Sequence, residues 1–262
     1  MIHSCVRARL ALPVTASLLK HPLQSHPANL PPPGLRVEVS RLPAEDPARP
    51  LRLRFELRGE LDAVRLPEPL DGGAPRRTDG LWRHTCFEAF VAAPAGPGST
   101  AASAASVDTA DSVPYVEFNL APSGAWAIYR FDGYRAGMRP EPAVVEPRIV
   151  ARRQPGALVV DVALAWPSPL PGLPATATAP VDAATVVARF PVAATAAAAV
   201  TTEAAAAATT RRGAGGWRGR LGLTAVVEAA DGSLSYWALH HPAARADFHN
   251  GGGFALGIEV PE

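Results

Sequence analysis

Two cysteines, Cys5 and Cys86, are all the thiols in 262 residues, too few for a disulfide framework or a cysteine metal site. Charge is also sparse: 19% of residues are charged and the formal net charge is +1, so no basic field draws nucleic acid to the surface. No run of about 20 apolar residues free of proline and charge offers a membrane span. Arg7 and Arg9 followed by Leu10–Val14 faintly imitate a signal peptide, but Pro13 interrupts the run and no clear small-residue cleavage site follows. The expectation is a cytoplasmic protein, with export as the alternative; the oligomeric state stays open.

What the chain does have is apolar residues, 48% of the total, distributed with a period of two. Residues 1–34 are rich in proline and are expected to form an extended, poorly ordered lead-in without an inner strand. From residue 35 to 262 one domain is expected. Leu35–Val39 and Leu51–Leu57 alternate apolar and charged residues and predict an antiparallel pair. Tyr115–Leu120, the turn Ala121–Gly124 and Ala125–Phe131 predict a hairpin with Val116, Phe118 and Leu120 in the core and Tyr115, Glu117 and Asn119 on the opposite face. Further hairpins are expected around Gln154-Pro155-Gly156 and Asp231-Gly232, with a last strand at Phe254–Val260. Two segments break this rhythm, residues 94–112 and 167–216, whose Ala, Pro, Thr and Ser composition offers no core face; they read as dispensable loop insertions. The fold expected is an all-β antiparallel β-sandwich of immunoglobulin-like architecture carrying these insertions.

The densest chemistry lies in Leu81–Val91. As a single extended strand it places Trp82, His84, Cys86, Glu88 and Phe90 on one face and Leu81, Thr85, Phe87 and Val91 on the other. Cys86 reads as a buried structural thiol, since no third group orients His84 to activate it.

Leu81-Trp82-Arg83-His84-Thr85-Cys86-Phe87-Glu88, Tyr115-Val116-Glu117-Phe118-Asn119, Pro122–Trp126, Tyr129-Arg130-Phe131, Tyr134-Arg135, Ser235–Pro242 and Asp247-Phe248-His249 together resemble the bacterial DOMON-like domain proteins. The resemblance covers residues 35–260 outside the two insertions. It implies a β-sandwich of the DOMON and family 9 carbohydrate-binding-module type, whose better-known relatives bind sugars or a b-type haem, and it does not imply an enzyme. It further implies a ligand face containing Trp82, Glu88, Glu117 and Asn119. Where related modules often carry an Asp shortly before the Glu, this chain has Thr85 and Cys86, so a calcium or sugar contact at that point does not carry over.

The binding site expected is therefore Trp82, Glu88, Glu117 and Asn119, with Trp126, Arg135 and Trp237 at its margins and His84, His240, Asp247 and His249 as secondary candidates. Its ligand is a carbohydrate or similar polar small molecule, with indole rings as stacking platforms and carboxyl and amide groups for hydroxyls. The competing account makes the tryptophans core and pairs the carboxylates with Arg83, Arg130 or Arg135. Two other functions stay open: a b-type haem held by a histidine and Met138, and a hydrolase using histidine and carboxylate groups near Asp247. The histidine spacing matches no metal signature.

Overall fold

A computed structural model describes residues 19–68, 76–94, 113–142, 145–172 and 217–260. Among them run β1 (Lys20–Ser25), β2 (Arg36–Leu42), β3 (Leu51–Arg58), β4 (Arg76–Arg77), β5 (Cys86–Ala92), β6 (Tyr115–Leu120) and β7 (Ala125–Phe131). These are followed by β8 (Arg139–Pro140), β9 (Arg148–Gln154), β10 (Ala157–Leu164), β11 (Trp217–Glu228), β12 (Leu234–Ala238) and β13 (Leu256–Val260). The only helical elements among the described residues are three single 3-10 turns. The all-β expectation holds, and the strands form one large mixed sheet curled into a half-barrel.

Along the sheet the order is β4-β7-β6-β5-β11-β12-β1-β2-β3-β10-β9. All neighbours are antiparallel except β4 and β7. The curl brings β3 over β5, where Phe55 stacks on Phe87 at 4.9 Å between ring centroids. Around that pair lie Val37, Val39, Leu53, Leu57, Val91, Val116, Phe118, Leu120, Val160 and Leu223, all buried in one core. Each fully buried side chain of this size contributes about 1.5–3 kcal/mol.

The three predicted hairpins form, β6–β7, β9–β10 and β11–β12. The lead-in is different from expectation. Lys20–Ser25 is an inner strand, joined to β2 from Lys20 to Leu23 and to β12 at Gln24 and Ser25. Proline at position 22 argues against a central strand, but β12 reaches only the far end of β1, so Pro22 lies where one edge is free and a missing N–H is tolerated. Residues 1–18 and most of both expected insertions, 95–112 and 173–216, lie outside the described residues.

The twelve-residue β11 is the spine of the functional half. One edge pairs with β5; the other is taken first by β13, opposite Trp217–Leu221, and then by β12, opposite Thr224–Glu228. The segment 239–255 that joins β12 to β13 must therefore leave the edge and return to it, and it crosses the outer face of the sheet. That outer face carries a second apolar cluster, with Phe90, Tyr115, Tyr129, Phe131 and Phe254 buried on it.

Candidate functional site

Strand alternation puts Cys86, Glu88 and Phe90 on the outer face of β5, because Phe87, Ala89 and Val91 face the core. Glu117 and Asn119 take the same face of β6 for the same reason. The register then does what the sequence does not specify: Glu88 stands opposite Asn119 and Phe90 opposite Glu117, which makes Glu88 and Glu117 diagonal neighbours. Thr224 of β11 completes the row on the other side of Glu88. The same row continues to Ala127 and Ala238, so a carboxyl rises from a floor of small side chains.

Above this floor is a cavity of about 410 Å³. Trp82, Phe131, Tyr236 and Phe248 provide aromatic walls, Glu88 and Glu117 the carboxyls, and Arg135, Met138 and His249 also border it. Glu88 is only 2% exposed and Glu117 5%. Thr224 Oγ1 donates to Glu88 Oε2 at 2.8 Å, and Asn119 Nδ2 donates to Glu117 Oε1 at 2.7 Å. Among the described residues neither carboxyl is ion-paired. Burial, and next the negative charge of Glu117, push Glu88 up to about 8 despite the Thr224 hydrogen bond. Burial likewise pushes Glu117 up to about 7, against the pull of Asn119 and the Arg135 charge. The pair thus holds protons near neutral pH, which surface carboxyls do not.

Two loops and a turn cover the cavity. Asp79-Gly80 leads into the 3-10 turn Leu81–Arg83, with Arg83 N donating to Gly80 O and His84 N to Leu81 O. The expected strand from residue 81 therefore begins only at Cys86. Trp82 reaches the cavity from the turn, edge-on to Tyr129 at 5.8 Å. The second cover, residues 132–138, is a tight loop in which Arg135 takes φ +52° and Gly137 φ +66°. A Cβ on Gly137 would lie 2.2 Å from Asp132 Oδ2, and the positive φ strains any other residue there, so glycine suits this corner of the loop. The third cover is part of segment 239–255. Asp247 ties the second and third together: it accepts from Tyr134 OH at 2.5 Å, Arg135 Nη2 at 2.9 Å and His249 N at 3.2 Å. Burial opposes its charge, yet these partners hold Asp247 below the ordinary carboxylate range. His249 is pulled down to about 4 by burial and then by the Arg135 charge, so its ring is neutral. Its Nδ1 sits 2.8 Å from the hydroxyl of Tyr115, which burial keeps protonated.

Of the expected site residues, the fold brings Trp82, Glu88, Glu117 and Arg135 to one cavity with His249. Asn119 lies beneath and orients Glu117. Trp126 and Trp237 are not margins of the site: both are in the inner core, and Trp237 Nε1 donates to Ser235 Oγ at 3.0 Å. Parity decides this, since Trp126 and Ile128 share one face of β7 while Ala127, Tyr129 and Phe131 share the other. His84 is exposed and off the strand, with Nδ1 2.8 Å from Glu228 Oε2. It does not meet Cys86, whose buried thiol lies 3.9 Å from Asn119 Oδ1 and is pushed well up by burial. His240 is exposed outside the cavity. Asp247 is committed to holding the cover. Sequence reasoning missed Thr224, Phe131, Tyr236 and Phe248; alternation against the core residues Leu223 and Ala225 already points Thr224 outward, but nothing in the sequence pairs it with Glu88.

Among the described residues no group of three or more His, Cys, Asp and Glu is placed to hold a metal ion, and no helix is long and apolar enough to cross a membrane. No family model, curated protein or solved structure matches the chain.

Proposed function

We propose that this chain is a binding module of the DOMON-like β-sandwich type and that the carboxyl-lined cavity holds a carbohydrate or similar polar small molecule. One observation carries this reading: two nearly fully buried carboxyls share a cavity of about 410 Å³ with four aromatic rings. That volume is within the roughly 300–1,000 Å³ of small-molecule sites, and the mixture of apolar walls with a few convergent polar groups is what such sites use. The curl that lays β3 over β5 supports the sandwich assignment, and the convergence of Trp82, Glu88 and Glu117 supports the sugar-binding resemblance. A ring stacked on Trp82 would present its hydroxyls to Glu88 and Glu117.

Haem fits this cavity less well. Met138 and His249 both border it, but a porphyrin's apolar face would cover two carboxyls and leave one oxygen of each without a partner. A glycan array followed by calorimetry tests the binding reading. Trp82→Ala and Glu88→Gln should each weaken the best ligand at least about tenfold. A wild-type protein that binds no member of the array, or two variants that bind like wild type, would refute it.

A further inference from the structure

We propose that the ligand of this cavity carries a protonated amine, seated between Glu88 and Glu117 and ringed by Trp82, Tyr236 and Phe248. The inference rests on the binding reading above and narrows it to cationic ligands.

The argument starts from hydrogen-bonding capacity. Each carboxyl has one oxygen engaged, Glu88 Oε2 by Thr224 and Glu117 Oε1 by Asn119. Glu88 Oε1 and Glu117 Oε2 have no hydrogen-bond partner among the described residues. Both residues line the cavity, and these oxygens are not among the enclosed polar atoms, so two open oxygens on diagonal neighbours define a place for donors. An ammonium group has three N–H donors and no acceptor, which matches a pair of carboxyl oxygens better than a hydroxyl does.

Charge points the same way. The charged and titratable groups around the two carboxyls are Arg135, Asp247, His249, Tyr115, Tyr129, Tyr236 and Cys86. Arg135 is balanced by Asp247, to which it donates at 2.9 Å. His249 and Cys86 are uncharged at neutral pH, as is Tyr115. Among the described residues the cavity therefore has two carboxyls and no free counter-charge from its lining. A neutral ligand leaves them as acids; a cation allows at least one to ionise against it. The aromatic walls add to this, because a cation within about 6 Å of a ring face is attracted by its quadrupole.

The step balances as a proton exchange: R–NH₃⁺ enters, one carboxylic acid becomes carboxylate, and its proton goes to solvent. Both carboxyls hold protons at about pH 6, since burial raises both, so that exchange is measurable there. Isothermal titration of the full chain with glucosamine, N-acetylglucosamine and glucose, in two buffers of different ionisation heat, reads both affinity and proton release. Glucosamine should bind at least about tenfold tighter than either neutral sugar and release about one proton. Glu88→Gln and Glu117→Gln should each remove most of that preference; the wild-type proton release stands as evidence even where a variant does not fold. Neutral sugars binding as tightly as glucosamine, or glucosamine binding without proton release, would overturn the amine inference and leave the binding reading in place. If none of the three binds wild type and the glycan array is also blank, both fall.

Discussion

Glu88 is the residue whose replacement says most about the site, because the effect is absent at low pH and grows as the pH rises. In the folded chain burial and Glu117 raise it from the ordinary 4.5 to about 8. Between those two pH values the folded state keeps a proton that the unfolded state has lost. Stability associated with Glu88 is therefore fully present below about pH 4.5 and falls as the pH rises through about 8. At about 1.4 kcal/mol for each pH unit, the loss across the window is on the order of 3–5 kcal/mol. Glu88→Gln keeps an acceptor for Thr224 and removes the titration. Near pH 5 variant and wild type should unfold at similar urea concentrations; near pH 9 the variant should be more stable by about 3–5 kcal/mol. His249 adds a limb of opposite sense to both proteins. Its folded value is lowered from 6.5 to about 4, so its stability is lost as the pH falls through that range, and the difference between variant and wild type removes it. The assay is urea denaturation followed by tryptophan fluorescence from pH 5 to 9. A variant that is destabilised equally at every pH, or a wild type whose midpoint does not fall above pH 7, would refute the account of Glu88 as a buried, protonated acid.

Two further outcomes separate the faces of the sheet. Phe118→Ala, in the inner core, should cost about 3–5 kcal/mol, whereas Asn119→Ala, which deletes the donor to Glu117, should cost about 1–3 kcal/mol. Only the second should raise the Glu117 titration in a carbon-detected NMR experiment, and equal costs with an unmoved titration would contradict the β6 register. In a Cys5→Ser background, Cys86 should resist a thiol reagent until the protein unfolds, because it is fully buried and its thiolate is strongly disfavoured; rapid labelling of the native protein would place it elsewhere.

The period-two patterning by itself determined that the chain is all-β, where three hairpins turn, and that Phe118 is opposed to Glu117 and Asn119. It did so because alternate side chains on a strand must face apart, whatever the strand packs against. It also grouped Glu88 with Phe90 and Cys86. Where both faces of a strand are apolar, alternation separates the two sets without saying which is core. Trp126 and Trp237 were for that reason as plausible at a ligand as in the interior, and only the curl of the sheet put them inside. The place of β1 was hidden by its proline, whose cost depends on which edge has a partner. The cavity depended on contacts distant in the chain: the β5–β6 register that sets Glu88 beside Glu117, the row from Thr224, and the segment 239–255 that must cross the outer face because β12 and β13 share one edge of β11. No local pattern encodes such pairings, since a register is chosen by the summed fit of two strands and a cover by what it closes over.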